Sequence, residues 1–230
     1  GIAGMETTLE ACRRGHRVTL FEKTDRLGGQ LNHADYPEFK WPLRNFKNYM
    51  VRQVLKANIS LQLNTIATPA LIAAGGFDAV VVAIGAEPKN LKIPGAESKK
   101  VYMPISVYGK EEELGKTIVV VGGGEIGAET GLYLAEYGHQ VTLLTRQNRV
   151  APDATCTHYR EMFEERWLKE PNFSFITNAQ VESVTDTGVI YRDAEGRLSE
   201  LPADNVVISG GRAADTDFAL SFYGSANDFF

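Results

Sequence analysis

Apolar residues recur along this chain in two rhythms, and the switch between them outlines the elements. Unbroken apolar runs at residues 77–84 (FDAVVVAI), 117–121 (TIVVV) and 205–209 (NVVIS) predict buried strands. Leu43, Phe46, Met50, Val54 and Leu55 fall near helical spacing and predict a helix over residues 42–55, with Pro42 suited to its first turn. Residues 59–63 alternate as a strand, and residues 69–74 read as a short helix. Pro88, Pro94 and Gly95 then break the pattern and mark a domain boundary. Beyond Arg149 a helix is expected over about residues 158–168. Short alternating strands are expected near 173–176, 180–185 and 188–192.

Residues 1–23 and 124–146 are two copies of one pattern, with ten of 23 aligned pairs identical, among them Gly1/Gly124, Gly4/Gly127, Leu9/Leu132, Gly15/Gly138 and Val18/Val141. Each copy reads as a glycine turn, an amphipathic helix, a Gly-His turn and a β-branched strand, the phosphate-binding half of a dinucleotide fold. Two such units in one chain point to two dinucleotides.

The second copy is complete. Gly122-Gly123-Gly124-Glu125-Ile126-Gly127 comes directly after the strand 117–121 as GxGxxG. Gly122 permits the tight turn, Gly124 lets backbone approach a pyrophosphate, and Gly127 lets helix and strand pack closely. The pyrophosphate would rest on the unpaired N–H groups at the helix start. In the first copy Gly1 and Gly4 align with the second and third glycines, so the chain is expected to begin inside a nucleotide site.

Glu22 closes the first copy's strand, residues 17–21, where a carboxylate can accept hydrogen bonds from a ribose; a solvated glutamate is the competing explanation. At the equivalent place the second copy has Thr145, then Arg146 and Arg149. A hydroxyl and two guanidinium groups suit a ribose 2′-phosphate, which favours NADPH over NADH, although two arginines on a loop are also what a solvated face looks like. Gly28 and Gly29 could bring backbone N–H groups to a cofactor or form a plain turn.

Composition narrows the field. The chain has 230 residues, 43% hydrophobic, with net charge −5 and scattered basic residues, so no nucleic-acid surface is indicated. No apolar run approaches membrane-spanning length and no signal-peptide pattern is present, so a cytoplasmic location is expected. Cys12 and Cys156 are the only cysteines; they form no CxxC pair and cannot ligate a four-cysteine cluster, which argues against disulfide reductase chemistry. Cys12 shares a helix face with Leu9 and reads as a small buried hydrophobe. No metal-binding constellation is visible, and His16 and His139 occupy the same turn in both repeats.

The order LGGQL, FDAVVVAIGAEPKNLKIPG, IVVVGGGEIGAETGLYLAEYGHQVTLL and NVVISGGR resembles the C-terminal module of the NADH:flavin oxidoreductase group with an old-yellow-enzyme barrel, such as 2,4-dienoyl-CoA and 2-enoate reductases. The resemblance implies an α/β fold of two Rossmann-like domains, the NAD(P) domain inserted in the FAD domain. Residues 1–88 would begin the FAD domain, 89–212 would form the NAD(P) domain and 213–230 would return to the first. It also implies that Gly1, Gly4, Glu22, Lys23, Gly29, Gln30, Ala83 and Gly85 contact FAD. Gly122, Gly124, Glu125, Ile126, Gly127, Arg146 and Arg212 would contact the nicotinamide dinucleotide. Glu129 matches a helix glutamate of that region, with a helix-surface role equally open.

The resemblance further implies a relay from NAD(P)H to FAD, through an iron–sulfur cluster, to an N-terminal FMN barrel that reduces an activated double bond. Barrel and cluster cysteines are not in this sequence, and the family's first strand and its Gly-Asp segment after the C-terminal Phe-Phe are missing, so a fragment of a longer enzyme is expected. No catalytic side chain is required, since the cofactors carry the redox chemistry. A nucleotide-binding domain without electron transfer of its own is the alternative.

Overall fold

The computed structural model describes residues 1–154 and 159–230. The chain divides into two compact units, Gly1–Glu87 with Ala214–Phe230, and Pro88–Ala213.

The first unit begins with α1 (Ile2–Arg13), β1 (Thr19–Phe21), α2 (Leu31–Ala34), α3 (Trp41–Lys56), β2 (Ser60–Gln62), α4 (Pro69–Gly75) and β3 (Ala79–Val80). Its core gathers Met5, Leu27, Met50 and Val54, with Ile2, Leu9, Leu20, Ile59 and Leu61 packed around them. The periodicity of α3 is correct, but its buried stripe is Met50 and Val54, whereas Phe46 and Leu55 face solvent. Pro42 sits in the first turn of α3, where its missing N–H costs nothing. Thr68 caps α4, its hydroxyl accepting from Leu71 N at 3.2 Å.

Short strands β4 (Glu87–Pro88) and β13 (Arg212–Ala213) lie at the two crossings between units. The second unit contains β5 (Val101–Tyr102), β6 (Thr117–Val121), α5 (Glu125–Tyr137), β7 (Gln140–Leu144), α6 (Tyr159–Lys169), β8 (Phe173–Ile176), β9 (Gln180–Val184), β10 (Gly188–Arg192), β11 (Leu198–Pro202) and β12 (Asn205–Ile208). Five parallel strands run in the order β5-β12-β6-β7-β8, and β9, β10 and β11 form an antiparallel meander. Val119, Val121, Leu144, Val184, Val189, Val206 and Ile208 pack into one core joining sheet and meander. The unbroken apolar runs of β6 and β12 reflect a sheet covered on both faces.

The chain then returns to the first unit as α7 (Thr216–Ser221) and β14 (Asp228–Phe229). Asp215 starts that helix, its carboxylate accepting from Phe218 N at 3.0 Å.

Three expectations are corrected. The run 77–84 is not a buried strand: only Ala79–Val80 pairs, and Val81 and Ile84 are 47% and 42% exposed. Strand burial depends on neighbours, and here β1 pairs with β2 while β3 pairs with β14, as two separate parallel pairs. Cys12 is half-buried, because the covered face of α1 centres on Met5 and Thr8. The first copy's strand starts at Thr19 instead of residue 17. Cys156 and His158 lie outside the described residues.

A half-buried polar cluster around the buried Glu111 and Thr130 flanks α5. Tyr108 and Thr130 share a hydroxyl hydrogen bond of 3.1 Å, Tyr133 donates to Glu111 at 2.5 Å, and Gly109 N donates to the same carboxylate at 2.7 Å. Burial pushes the Tyr108 phenol up to about 12, against the effect of its bond to Thr130, with the Glu129 and Glu111 carboxylates adding to the rise. A raised phenol favours the folded state fully below the ordinary tyrosine value of about 10, and the contribution is lost as pH climbs through the folded value. We expect the melting temperature to fall between about pH 10 and 12. Over that window it should fall less steeply in Tyr108→Phe; parallel profiles would count against this origin.

Candidate functional site

In the second unit, β6, the glycine turn, α5 and β7 form a parallel βαβ element, with Val119 opposite Thr142 and Val121 opposite Leu144. Gly122 has φ +106, a conformation that disfavours any side chain, and Gly138 ends α5 with φ +117. At Gly127 a Cβ would run into the Gly122 carbonyl oxygen, so the helix approaches the turn as closely as backbone permits. The first intrahelical bond at this end is Ala128 N to Gly124 O at 3.0 Å, which leaves the N–H groups of Glu125, Ile126 and Gly127 without helical partners. Such a terminus is an anion seat.

Asp153 already reaches that seat. Its carboxylate accepts from Glu125 N at 2.8 Å, and a Cβ on Gly124 would lie 3.1 Å from its Oδ2. Sequence reading missed this residue, which stands 28 positions from Glu125 and belongs to no periodic pattern.

At the end of β7, Thr145 is buried and its hydroxyl accepts from Gln147 N at 3.2 Å. Arg146 and Arg149 are both exposed on the loop beyond it. Ile126 faces solvent, and Glu125 is half-buried. Glu129 is buried within α5, against the alternative of a helix-surface role. Arg212 is half-buried, beyond β12 and the Gly210-Gly211 turn.

In the first unit the structure brings together residues from three stretches. A Cβ on Gly29 would lie 2.6 Å from the Gly1 Cα, so the turn carrying Gly28 (φ +119) and Gly29 (φ +55) presses on Gly1 at the start of α1. Gly4 lies between Ala83 and Leu20. The Glu22 carboxylate stands 3.8 Å from Gly1 N, and one of its oxygens accepts from Thr24 N and the Thr24 hydroxyl, both at 2.9 Å. Gln30 and Gly85 are exposed. Lys23 is also exposed and pairs with Glu87 at 3.2 Å, away from this cluster of contacts.

These donor sets fit two dinucleotides: two glycine turns at helix starts, an acidic residue beyond the first strand, and a pair of cations beyond the second. Among the described residues, no group of three or more His, Cys, Asp or Glu side chains could hold a metal ion, and no helix is long and apolar enough to cross a membrane.

The model for "Pyridine nucleotide-disulphide oxidoreductase" matches residues 1–226. The chain belongs to this family. Membership implies FAD and NAD(P)H binding, and the α/β fold with parallel sheets agrees with it. The resemblance to the FAD/NAD(P)-binding module of flavin oxidoreductases also holds. The bilirubin reductase of Mediterraneibacter gnavus is 33% identical, the match covering 99% of this chain and 36% of that protein. The cinnamate reductase of Clostridium sporogenes is 30% identical over 94% of this chain and 32% of its own length. Among solved structures, a 2-naphthoyl-CoA reductase complex superposes with a TM-score of 0.90 at 31% identity, covering all of this chain and 35% of that one. The chain thus spans about a third of the length of these relatives.

Proposed function

We propose that this chain is the electron-entry module of a flavin oxidoreductase, receiving hydride from NADPH on FAD. The observation that carries this reading is the duplicated glycine-turn helix, each copy leading into a strand whose end bears a different charge: Glu22 after β1, Arg146 and Arg149 beyond β7. A carboxylate suits a free ribose and guanidinium groups suit a phosphorylated one, so the first unit takes FAD and the second NADPH.

When bound, the two cofactors supply the hydride chemistry themselves. The residues of this chain bind and orient them. The N–H groups opening α5 hold the nicotinamide dinucleotide's pyrophosphate, Glu125 and Ile126 line that turn, and Arg146 and Arg149 grip the 2′-phosphate. Buried Glu129 and half-buried Arg212 serve the same segment. On the flavin side Gly1, Gly4 and Gly29 give close backbone approach, Glu22 binds ribose, and Gln30, Ala83 and Gly85 flank the cofactor, while Lys23, paired with Glu87, would have to turn to reach it. In a longer enzyme of this type, an iron–sulfur cluster and an FMN barrel outside these residues would carry the electrons on to an enoate or dienoyl-CoA type substrate. The cinnamate and 2-naphthoyl-CoA reductase relatives support that class.

A second reading, nucleotide binding without electron transfer, is favoured by the exposure of Val81 and Ile84 beside two unjoined strand pairs in the FAD unit. An anaerobic visible spectrum separates the two. After incubation with FAD and desalting, a retained flavin band that bleaches with NADPH is the expected result. No retained flavin would leave the chain as a nucleotide-binding domain only.

A further inference from the structure

The carboxylate of Asp153 stands where an anionic ligand of α5 would stand. It accepts the hydrogen bond of Glu125 N at 2.8 Å, and it fills the space that the missing side chain of Gly124 leaves open. That space is the one through which a pyrophosphate must approach the helix start. Asp153 is exposed, and while its carboxylate sits there a pyrophosphate cannot share the place: both need the same N–H donors, and like charges at this range repel.

The loop bearing Asp153 is anchored independently of it. Ala151 N donates to Gly123 O at 2.7 Å, and Ala151 holds φ +46, unusual for a residue with a side chain. Val150, Ala151 and Ala154 are buried, and Pro152 restricts the backbone between them. With its backbone seated in this way, the loop can vacate the helix start by turning the Asp153 side chain alone.

We propose that Asp153 is a built-in anion that competes with the dinucleotide pyrophosphate for the N-terminus of α5, and thereby sets the affinity of the site. The proposal rests on the reading of α5 as the NADPH site. The competitor stabilises the helix start through the helix dipole and lowers the affinity for the dinucleotide in either redox state, so release of the oxidised nucleotide is faster. Glu125, also acidic and in the first helical turn, adds to the negative field.

Titration of the full 230-residue chain with NADPH, monitored by cofactor fluorescence, tests this. Asp153→Asn keeps an acceptor for Glu125 N and removes the charge; Asp153→Ala removes both. Both variants should bind NADPH more tightly than wild type, Asn by about tenfold, with the gain shrinking at high salt. Unchanged or weaker binding in the variants, with wild type still binding, would overturn the competition while leaving the NADPH site standing. Absence of NADPH binding in wild type and variants alike would remove the site itself, and the proposal with it.

Discussion

Gly127→Ala should cost about 3 kcal/mol of stability and abolish NADPH binding at concentrations that saturate wild type. The added methyl would fall on the Gly122 carbonyl oxygen and lie 3.2 Å from the Ser209 Cβ. Neither neighbour can give way cheaply. Gly122 is held by its own N–H bond to Leu144 O at 2.9 Å, and Ser209 N is bonded to Val121 O at 2.8 Å. The helix must therefore lift off the turn, which takes its N–H groups away from any pyrophosphate. For a chain of this size the melting temperature should fall by roughly 6–12 °C. Gly131→Ala is the matched control on the same helix. Its Cβ would meet the edge of the Phe173 ring at 2.8 Å, a side chain that can turn, so a smaller loss and retained binding are expected. Circular dichroism melts and NADPH titrations of the two variants would show whether close packing at Gly127 has this role; equal behaviour would deny it.

The features that could be read from sequence are those fixed by local chemistry. Gly122 and Gly127 announce their turn because a side chain at either would be strained or collide with backbone, and the repeat with Gly1 and Gly4 makes the second reading reinforce the first. The apolar runs of β6 and β12 were legible because both faces of that sheet are covered. The same kind of run at residues 77–84 misled, since burial belongs to a strand's neighbours and not to its composition. Phe46 and Leu55 misled for a related reason: helical spacing identifies a stripe, but which residues at its margins are covered depends on what packs there. Asp153 was invisible for another reason. A carboxylate that caps a helix 28 residues earlier in the chain leaves no spacing signal, and only the fold brings it to Glu125.

Arg146→Glu should weaken NADPH binding by about a hundredfold and change NADH binding by no more than about threefold. Thr145 is buried and its hydroxyl accepts from Gln147 N, so it offers a 2′-phosphate one O–H donor and no charge. On the proposed assignment the exposed guanidinium groups of Arg146 and Arg149 carry the discrimination. A charged hydrogen bond to phosphate contributes about 1.5–3 kcal/mol, and replacing the donor with a carboxylate adds repulsion of the doubly charged group. NADH presents only a hydroxyl there, which a carboxylate can accept, as Glu22 is placed to do after β1. Arg149→Glu should show the same selectivity with a smaller loss, since it lies three residues further along the loop. Titrating both cofactors against both variants reads the ratio directly. Equal losses for NADPH and NADH would mean that Arg146 supports the fold of the loop and leaves the 2′-phosphate without its assigned partner.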